Sequence, residues 1–366
     1  MILYLSLFCC LLYFFLQFND TARNRNVFLI LVTIILIIVS GLRHPEVGND
    51  TVNYLRAFDE APSLSWNEIF ESFRDAYFNP SADSGKDPGL MIYNKVLSGF
   101  LPSHSLYLIF TAAWLLIPLA IFLKKQVHSL NSLLFIYLMF ISIYYVYLPN
   151  SALRQSVALG ILFCGYNLLT KSKKTILFIA CVAFASIFHK SSLLALLMLM
   201  PRLIKSPKAI YWIGLPLLLC MYMEYNVVGV FLASQSDIYS MYAADFYSYG
   251  QTKPFIILLF FSGLYVLGLF VLNKYILNNQ TNELAKYAIC GTVFTVVFTP
   301  LILLDPSLIR ITAYFVIWFM IFIPEIIAQT DKKLSPMIFV VCILLFLYKA
   351  YKSGGDYMFF WETPSF

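Results

Sequence analysis

The sequence predicts an all-α, polytopic integral membrane protein, and two observations carry this prediction. First, 60% of the 366 residues are hydrophobic and only 12% are charged, far from the balance of a soluble domain. Second, apolar runs long enough to cross the hydrocarbon core of a bilayer recur along the chain. Because unsatisfied backbone amides are costly in lipid, each run is expected to be a helix. We therefore expect one transmembrane domain over residues 1–366.

About twelve membrane-spanning helices are expected. They are placed at residues 1–18, 27–42, 105–123, 130–148, 151–170, 175–189, 191–204, 209–223, 254–273, 287–304, 308–328 and 335–350. The first run lacks a basic leader and a small-residue cleavage site, so it is expected to be a retained helix rather than a removed signal peptide. Two neighbouring runs, 175–189 and 191–204, are shorter than the roughly 20 residues that a straight crossing needs, and a re-entrant pair is the alternative there.

The basic residues predict the topology. With twelve spans, the short loops that carry Lys or Arg all fall on one side, which the positive-inside rule makes the cytoplasm. These bases are Arg23, Arg25, Lys124, Lys125, Lys171, Lys173, Lys174, Arg202, Lys205, Lys208, Lys274, Lys286, Lys332 and Lys333. Both termini then face outward. The net charge of +6 comes from bases in short loops between spans, a pattern that reflects topology rather than a binding patch. No nucleic-acid partner is therefore expected.

Two long loops, residues 43–104 and 224–253, face outward in this topology. The first contains "SWNEIFESFRDAYF", in which apolar residues from Trp66 to Phe73 recur at helical spacing. We expect an amphipathic helix anchored on the outer membrane surface, with a sugar-stacking platform as the lesser alternative. All seven cysteines lie in apolar runs without paired spacing, so neither disulfides nor a cysteine metal site is expected.

Polar residues from distant parts of the chain gather at the outward ends of the helices. Ionisable groups there are costly unless they line a wet cavity or bind something polar. The set is Arg43, Asp50, Asp87, Arg154, Gln155, His189, Lys190, Asp305 and Arg310. Each alone has a structural explanation, such as interfacial snorkelling of Arg154 or helix capping by Asp305. However, Arg154 and Arg310 lie inside spans on the side where the positive-inside rule disfavours arginine, which indicates an anionic partner.

These residue types indicate glycosyl transfer from a lipid-linked diphosphate. The guanidinium fork matches phosphate oxygens and needs no metal. The arginines in question are Arg43, Arg154 and Arg310. Asp50, Asp87 and His189 are able to accept a proton from a sugar hydroxyl. No metal and no cofactor are expected: a metal-dependent route would use Asp50 and Asp87, but "GNDTVNY" contains no close acidic pair.

Five motifs follow one another within residues 41–315. They read "GLRHPEVGNDTVNYLRAF", "KDPGLMIYNKV", "LRQSVALGILF", "FHKSSLLAL" and "LIRITAYF". In this order they resemble the EpsG-like members of the Wzy polysaccharide polymerases. The first motif fits that family's pattern of Arg, then Gly-x-Asp-x-x-x-Tyr with Asp50 and Tyr54, then Phe. Asp87 stands where the family more often has Glu, and the shorter carboxylate displaces a potential base by about one methylene.

The resemblance implies a polymerase of O-antigen or exopolysaccharide repeat units, compatible with a GT-C-like architecture. Donor and acceptor would be undecaprenyl-diphosphate-linked glycans, joined at the outer, periplasmic face of the bacterial inner membrane. Besides these substrates, the partners implied are the lipid bilayer and, as a further candidate, a chain-length regulator.

In the scheme that we expect, the three arginines stabilise the departing diphosphate and Asp50 or His189 activates the acceptor hydroxyl. The remaining substrate-binding candidates are Asp87, which would orient the sugar, together with Gln155, Tyr54 and Asp305. A flippase or transporter of lipid-linked oligosaccharides is the alternative from another class, although it would place its charges near mid-membrane and show internal symmetry. An O-antigen ligase, which uses the same donor, is the second alternative.

Overall fold

The described chain is helical, as predicted. The structure is a computed structural model that describes residues 2–78, 88–171, 174–235, 255–279, 283–353 and 357–362. Within these ranges the β-type pairing is an isolated antiparallel bridge between Arg43 and Phe359. The chain divides into two compact units: residues 1–193 together with 340–366, and residues 194–339. That the chain forms a single transmembrane domain stays a prediction.

The first unit is built around three long helices. Its helices are α1 (Ile2–Gln17), α2 (Ala22–Gly41), α3 (Thr51–Glu60), α4 (Trp66–Phe78), α5 (Gly89–Ser98), α6 (His104–Gln126), α7 (Leu130–Phe140), α8 (Leu148–Ser151), α9 (Leu153–Lys171) and α10 (Thr175–Phe188). A π-helical stretch, Ile141–Tyr145, follows α7 directly. Helix α6 packs against α2 and α9, and α9 packs against α10. The shorter α3, α4 and α5 come from the predicted outward loop 43–104 and carry two of the motifs.

The second unit alternates α-helices with 3₁₀ segments. In chain order these are a 3₁₀ helix (Lys190–Leu199) that leads into the unit, α11 (Met200–Leu203), α12 (Pro207–Gln235), α13 (Phe255–Asn278), α14 (Glu283–Phe298), two 3₁₀ helices (Thr299–Leu303 and Pro306–Tyr314), α15 (Val316–Gln329) and α16 (Leu334–Ser353), which returns to the first unit. Helix α14 packs against α12 and α15.

The number of candidate spans is smaller than predicted. Six helical runs of the described chain are long and apolar enough to cross a bilayer, or seven if a bent pair counts as one span. The six are Ala22–Gly41, His104–Gln126, Leu130–Ser151, Phe255–Asn278, Glu283–Leu303 and Leu334–Tyr351. Shorter apolar helices lie at Leu5–Gln17 and Thr175–Phe188. A polytopic membrane protein is therefore confirmed, whereas the count of twelve is not.

Three segments have a different structure from the one predicted. The span predicted at 308–328 is bent, because Pro306–Tyr314 is a 3₁₀ helix that meets Val316–Gln329 at 79°. Residues 191–204 form 3₁₀ helix followed by a single α-turn rather than an α-helical span. The loop predicted to begin at residue 224 begins later, since α12 continues to Gln235 past a non-helical residue at Glu224. Residues 236–254 lie outside the described residues.

Hydrogen bonds join several turns at one end of the first unit, as expected if successive helices run in alternating directions. Asp20 Oδ2 accepts from the Leu130 backbone N at 3.2 Å, and Gln126 Nε2 donates to Thr170 Oγ1 at 3.1 Å. These turns are among those that carry the predicted cytoplasmic bases. Since α2 runs away from this end, its last residue, Gly41, lies at the opposite end.

Helix α4 is the predicted amphipathic helix, and a capping box starts it. The Ser65 backbone N donates to Glu68 Oε2 at 2.6 Å, and the Glu68 backbone N donates to Ser65 Oγ at 3.2 Å. The bond from Ser65 N lowers the pKa of Glu68. Ile69 is buried against the protein, whereas Trp66 and Phe70 are exposed. The aromatic rings thus do not share the packing face with Ile69, and anchoring on the membrane stays a prediction.

Two Tyr-x-x-Gly motifs, Tyr211–Gly214 on α12 and Tyr265–Gly268 on α13, hold these helices together. Each hydroxyl donates to the carbonyl of the other tyrosine, Tyr211 OH at 2.8 Å from Tyr265 O. The two rings stack with centroids 4.4 Å apart. A Cβ at Gly268 would collide with Tyr211 OH, and one at Gly214 would lie 2.5 Å from Tyr265 OH. Each glycine therefore leaves the room that the facing tyrosine needs.

We expect Gly268→Ala to lower the thermal unfolding temperature in detergent. The added methyl must displace Tyr211 OH, and overpacking of this kind costs about 1–3 kcal/mol. Gly263→Ala on the same helix is the matched control, because among the described residues no atom lies within 4 Å of the position that its Cβ would take. Equal unfolding temperatures for the two variants would show that the reciprocal contact contributes nothing to stability.

Candidate active site around the exit of helix α2

The end of α2 determines how the chain leaves its first long apolar helix. The last four carbonyls of an α-helix lack intrahelical partners, and such groups need donors at a membrane edge. Three of them are satisfied. Ile38 O accepts from Leu42 N at 2.9 Å, and Ser40 O accepts from Arg43 Nη1. The third, Val39 O, accepts from the hydroxyl of Tyr357, 318 residues further along the chain.

Residues 357–362, here called the C-terminal strap, pair with this exit. The His44 backbone N donates to Met358 O at 2.8 Å, and the Phe360 backbone N donates to Leu42 O at 2.9 Å. Arg43 thus lies opposite Phe359 between two backbone hydrogen bonds. No sequence pattern indicates this contact, because its partners lie more than 300 positions apart. The strap lies at the same end of the first unit as residues 42–44.

Gly48 shows why the first motif requires glycine before Asp50. Its φ is +96°, in the left-handed region, and a Cβ there would collide with the carbonyl oxygen of Asn150. Thr51 Oγ1 lies 2.8 Å from Asn150 O and 2.8 Å from Val47 O. The turn is therefore anchored against the segment that ends three residues before Arg154.

Asp50 stands at the N-terminus of α3 with an accessible carboxylate. The residue is exposed, and its side chain makes no capping hydrogen bond. By contrast, Tyr54 on the next turn is only 7% exposed. Phe58, which completes the motif, packs against Tyr107 of α6 with ring centroids 4.5 Å apart. The motif thus combines buried residues that fix α3 with one exposed carboxylate, and a role of Tyr54 in substrate binding stays a prediction.

The second and fourth motifs meet where α5 begins and α10 ends. A Cβ at Gly89 would lie 2.7 Å from Ile187 O, two residues before His189. His189 follows α10 with extended backbone and is half-buried. Lys190 Nζ donates to Ala76 O of α4 at 3.3 Å. Asp87, which precedes this start of α5, lies outside the described residues, so its predicted role is not tested.

Within the first unit, helix α5 lies between the helix that follows Asp50 and the segment that carries His189. It packs against α3, α4 and α10. Asn94 Oδ1 accepts from Tyr107 OH at 2.9 Å, and Tyr93 OH lies 3.1 Å from Thr111 Oγ1. The Tyr93 ring also lies 6.2 Å from that of Phe188, the residue before His189. A buried aromatic and polar layer therefore connects the Asp50 helix with the segment that carries His189.

The two candidate arginines of the first unit, Arg43 and Arg154, differ in accessibility. Arg154, on the first turn of α9, is half-buried, and its neighbour Gln155 is only 1% exposed. Arg43 is also 1% exposed, with Nη1 directed to Ser40 O and lying 3.1 Å from Ser40 Oγ. Arg154 is thus the more accessible candidate for an anion. Binding of a diphosphate by Arg43 or Gln155 stays a prediction.

Asp305 and Arg310 belong to the second unit. Asp305 is 1% exposed and caps the 3₁₀ helix, since its Oδ1 accepts from the Ser307 backbone N at 2.8 Å. Helix capping by Asp305 is the structural explanation that the sequence offered for this residue. Arg310 is half-buried, and its Nε donates to Ser307 O at 3.0 Å. The predicted convergence of Arg310 with the arginines of the first unit stays a prediction. In the described parts of both units, no group of three or more His, Cys, Asp or Glu is placed to hold a metal ion.

We expect Gly48→Ala to lower the yield of monodisperse protein and its unfolding temperature. The left-handed backbone costs a residue with a Cβ about 1–2 kcal/mol, and the clash with Asn150 O adds to it. Gly99→Ala is the control, since φ there is −74° and the nearest atom to its Cβ position is 3.4 Å away. Wild-type behaviour of Gly48→Ala in size-exclusion chromatography and thermal unfolding would contradict the assigned turn.

Comparison with known proteins adds one finding. A family model described as the EpsG family matches residues 26–361. No curated protein matches the chain, and no solved structure matches it. The match runs from the first turns of α2 into the C-terminal strap and includes every motif quoted above. The protein therefore belongs to the EpsG family.

Proposed function

We propose that this protein is a membrane glycosyltransferase that polymerises undecaprenyl-diphosphate-linked repeat units on the outer face of the bacterial inner membrane. Membership of the EpsG family supports a polysaccharide-polymerase type of membrane protein. The observation that carries the finer proposal is the anchoring of the Gly48–Asp50 turn on Asn150. This contact brings a segment with an exposed carboxylate against the segment that leads into Arg154, so a base and a phosphate-binding group come from adjoining parts of one unit.

The proposed reaction exchanges one glycosidic bond for another. The hydroxyl oxygen of the acceptor sugar attacks the anomeric carbon of the donor, and the bond from that carbon to the diphosphate oxygen breaks. The acceptor proton passes to Asp50, or to His189 in the alternative assignment. Undecaprenyl diphosphate leaves with the negative charge, and the growing glycan stays on the acceptor lipid.

Arg154 is the principal phosphate ligand that we propose in the first unit. Its fork is able to hold two oxygens of the leaving group and to meet the charge that develops on the bridging oxygen. Arg43 supports the exit of α2 in the present conformation, because its guanidinium donates to Ser40. That Arg310 also binds the diphosphate stays a prediction. Asp87 would orient the sugar.

The accessible carboxylate of Asp50 favours it as the base over His189. Asp50 needs no change in side-chain hydrogen bonding before it accepts a proton, since it makes no capping bond at the start of α3. His189 is half-buried at the end of α10. Both groups lie outside the helices that are long and apolar enough to span a membrane.

The function is tested by reconstituting the purified protein in vesicles with undecaprenyl-linked repeat units as the sole substrate. Polymer longer than one repeat is expected. An O-antigen ligase would give no product without its own acceptor, and a flippase would move the lipid-linked glycan across the bilayer without lengthening it. Absence of polymer from a correctly folded preparation would therefore contradict the proposal.

In this assay, Arg154→Lys is expected to lose most of the polymerase activity, by about 10²–10³-fold, because a point charge does not replace the bidentate fork. Arg74→Lys is the control, since the Arg74 side chain on α4 is 63% exposed and its Nε lies 3.5 Å from Asp75. Glycan length is read on gels. Near wild-type polymer from Arg154→Lys would count against the phosphate-binding assignment.

Asp50→Asn is expected to reduce turnover by about 10²–10⁴-fold at unchanged folded yield, because the amide cannot accept the hydroxyl proton. Asp75→Asn, at another partly exposed acid of the same unit, is expected to keep wild-type turnover. Initial rates of repeat-unit addition are the measurement. Full turnover by Asp50→Asn together with loss in His189→Gln would transfer the base to His189.

A further inference from the structure

The C-terminal strap is attached to the exit of α2 by backbone and side-chain hydrogen bonds. Its attachment is specific, since it uses backbone bonds on both sides of Arg43 and a side-chain bond from Tyr357 to Val39 O. The strap is also held in shape by itself. The Phe359 backbone N donates to Glu362 Oε2 at 2.7 Å, and the Phe359 and Trp361 rings stack with centroids 4.6 Å apart at 4°.

We propose that the strap is a positioning element of the transfer reaction and that Tyr357 is its key positioning residue. This inference rests on the proposed polymerase function. Antiparallel backbone bonds at the residues before and after Arg43 fix both peptide planes that flank it. The direction in which the chain leaves α2 is thereby fixed, and with it the turn that carries Asp50.

Tyr357 acts on the carbonyl next to the one that Arg43 binds. Val39 O accepts a hydrogen bond from the Tyr357 hydroxyl, and Ser40 O accepts one from the Arg43 guanidinium. Both donors therefore cap carbonyls in the last turn of α2. Removing the hydroxyl leaves a carbonyl without its donor at the end of an apolar helix, which favours fraying of that turn. Misplacement of a catalytic group by about 1 Å costs up to about 100-fold in rate. Tyr357 itself need not touch the substrate.

The test compares full-length Tyr357→Phe with Tyr351→Phe, a change at an exposed tyrosine of α16. For Tyr357→Phe we expect kcat per folded protein to fall by about tenfold or more with KM nearly unchanged. We also expect faster amide hydrogen exchange in peptides that cover residues 42–51. Tyr351→Phe should match the wild type in kcat, in KM and in amide hydrogen exchange. A lower folded yield with unchanged kcat would reduce the strap to a purely structural role and overturn the proposal.

A disulfide provides the rescue. Leu42 and Phe360 are adjacent across the strand pairing, where Cα atoms lie about 5.5 Å apart, within the range of a disulfide. Leu42→Cys with Phe360→Cys in the Tyr357→Phe background should regain kcat on oxidation and lose it again on reduction. The seven native cysteines are free. An oxidised variant that stays as slow as the reduced one would contradict positioning by the strap.

The two proposals fail in different ways. A wild-type protein that makes no polymer contradicts the polymerase function, yet hydrogen exchange still tests the strap. Protection of residues 42–51 that is lost in Tyr357→Phe and restored by the disulfide supports the attachment. Equal exchange in all variants overturns it.

Discussion

The backbone carbonyls at the end of α2 impose the constraint on which the candidate site depends. A helix that ends near the hydrocarbon region needs donors for these groups, because lipid tails offer none. The chain supplies them from its own next residue, from the guanidinium of Arg43 and from Tyr357 in the C-terminal strap. Capping this helix therefore also fixes the course of the segment that leads to Asp50.

Beyond this exit, one close backbone approach determines the path of the motif. Gly48 has a left-handed φ and presses against Asn150 O, and Thr51 hydrogen-bonds to the same carbonyl. The turn thus follows α2 along the chain and is held on its other side by α8, the short helix that precedes α9. Since α9 carries Arg154 on its first turn, the positions of the proposed base and of the proposed phosphate ligand are set by adjoining contacts rather than by separate loops.

The sequence predicted the features that depend on local pattern. Apolar runs predicted helices, and the spacing of Trp66 to Phe73 predicted the amphipathic α4, because hydrophobic periodicity is a local property. It did not predict the strap, since a bond between Tyr357 and Val39 joins residues 318 positions apart. Nor did it predict the 79° bend before α15, where a 3₁₀ segment replaces the α-helix that hydropathy alone suggests.

The motif residues fall into two classes that sequence alone does not separate. Arg43, Tyr54 and Asp305 are buried, and the hydrogen bonds of Arg43 and Asp305 serve backbone groups at the end of one helix and the start of another. Asp50 and Arg154 remain accessible to different degrees. A charged residue at a membrane edge is expensive unless its polar atoms are satisfied. Capping accounts for the hydrogen bonds of Arg43 Nη1 and Asp305 Oδ1 without a substrate, whereas Asp305 Oδ2 is buried without a hydrogen-bond partner in the described part of the chain. The proposed chemistry is therefore assigned to the accessible members, Asp50 and Arg154.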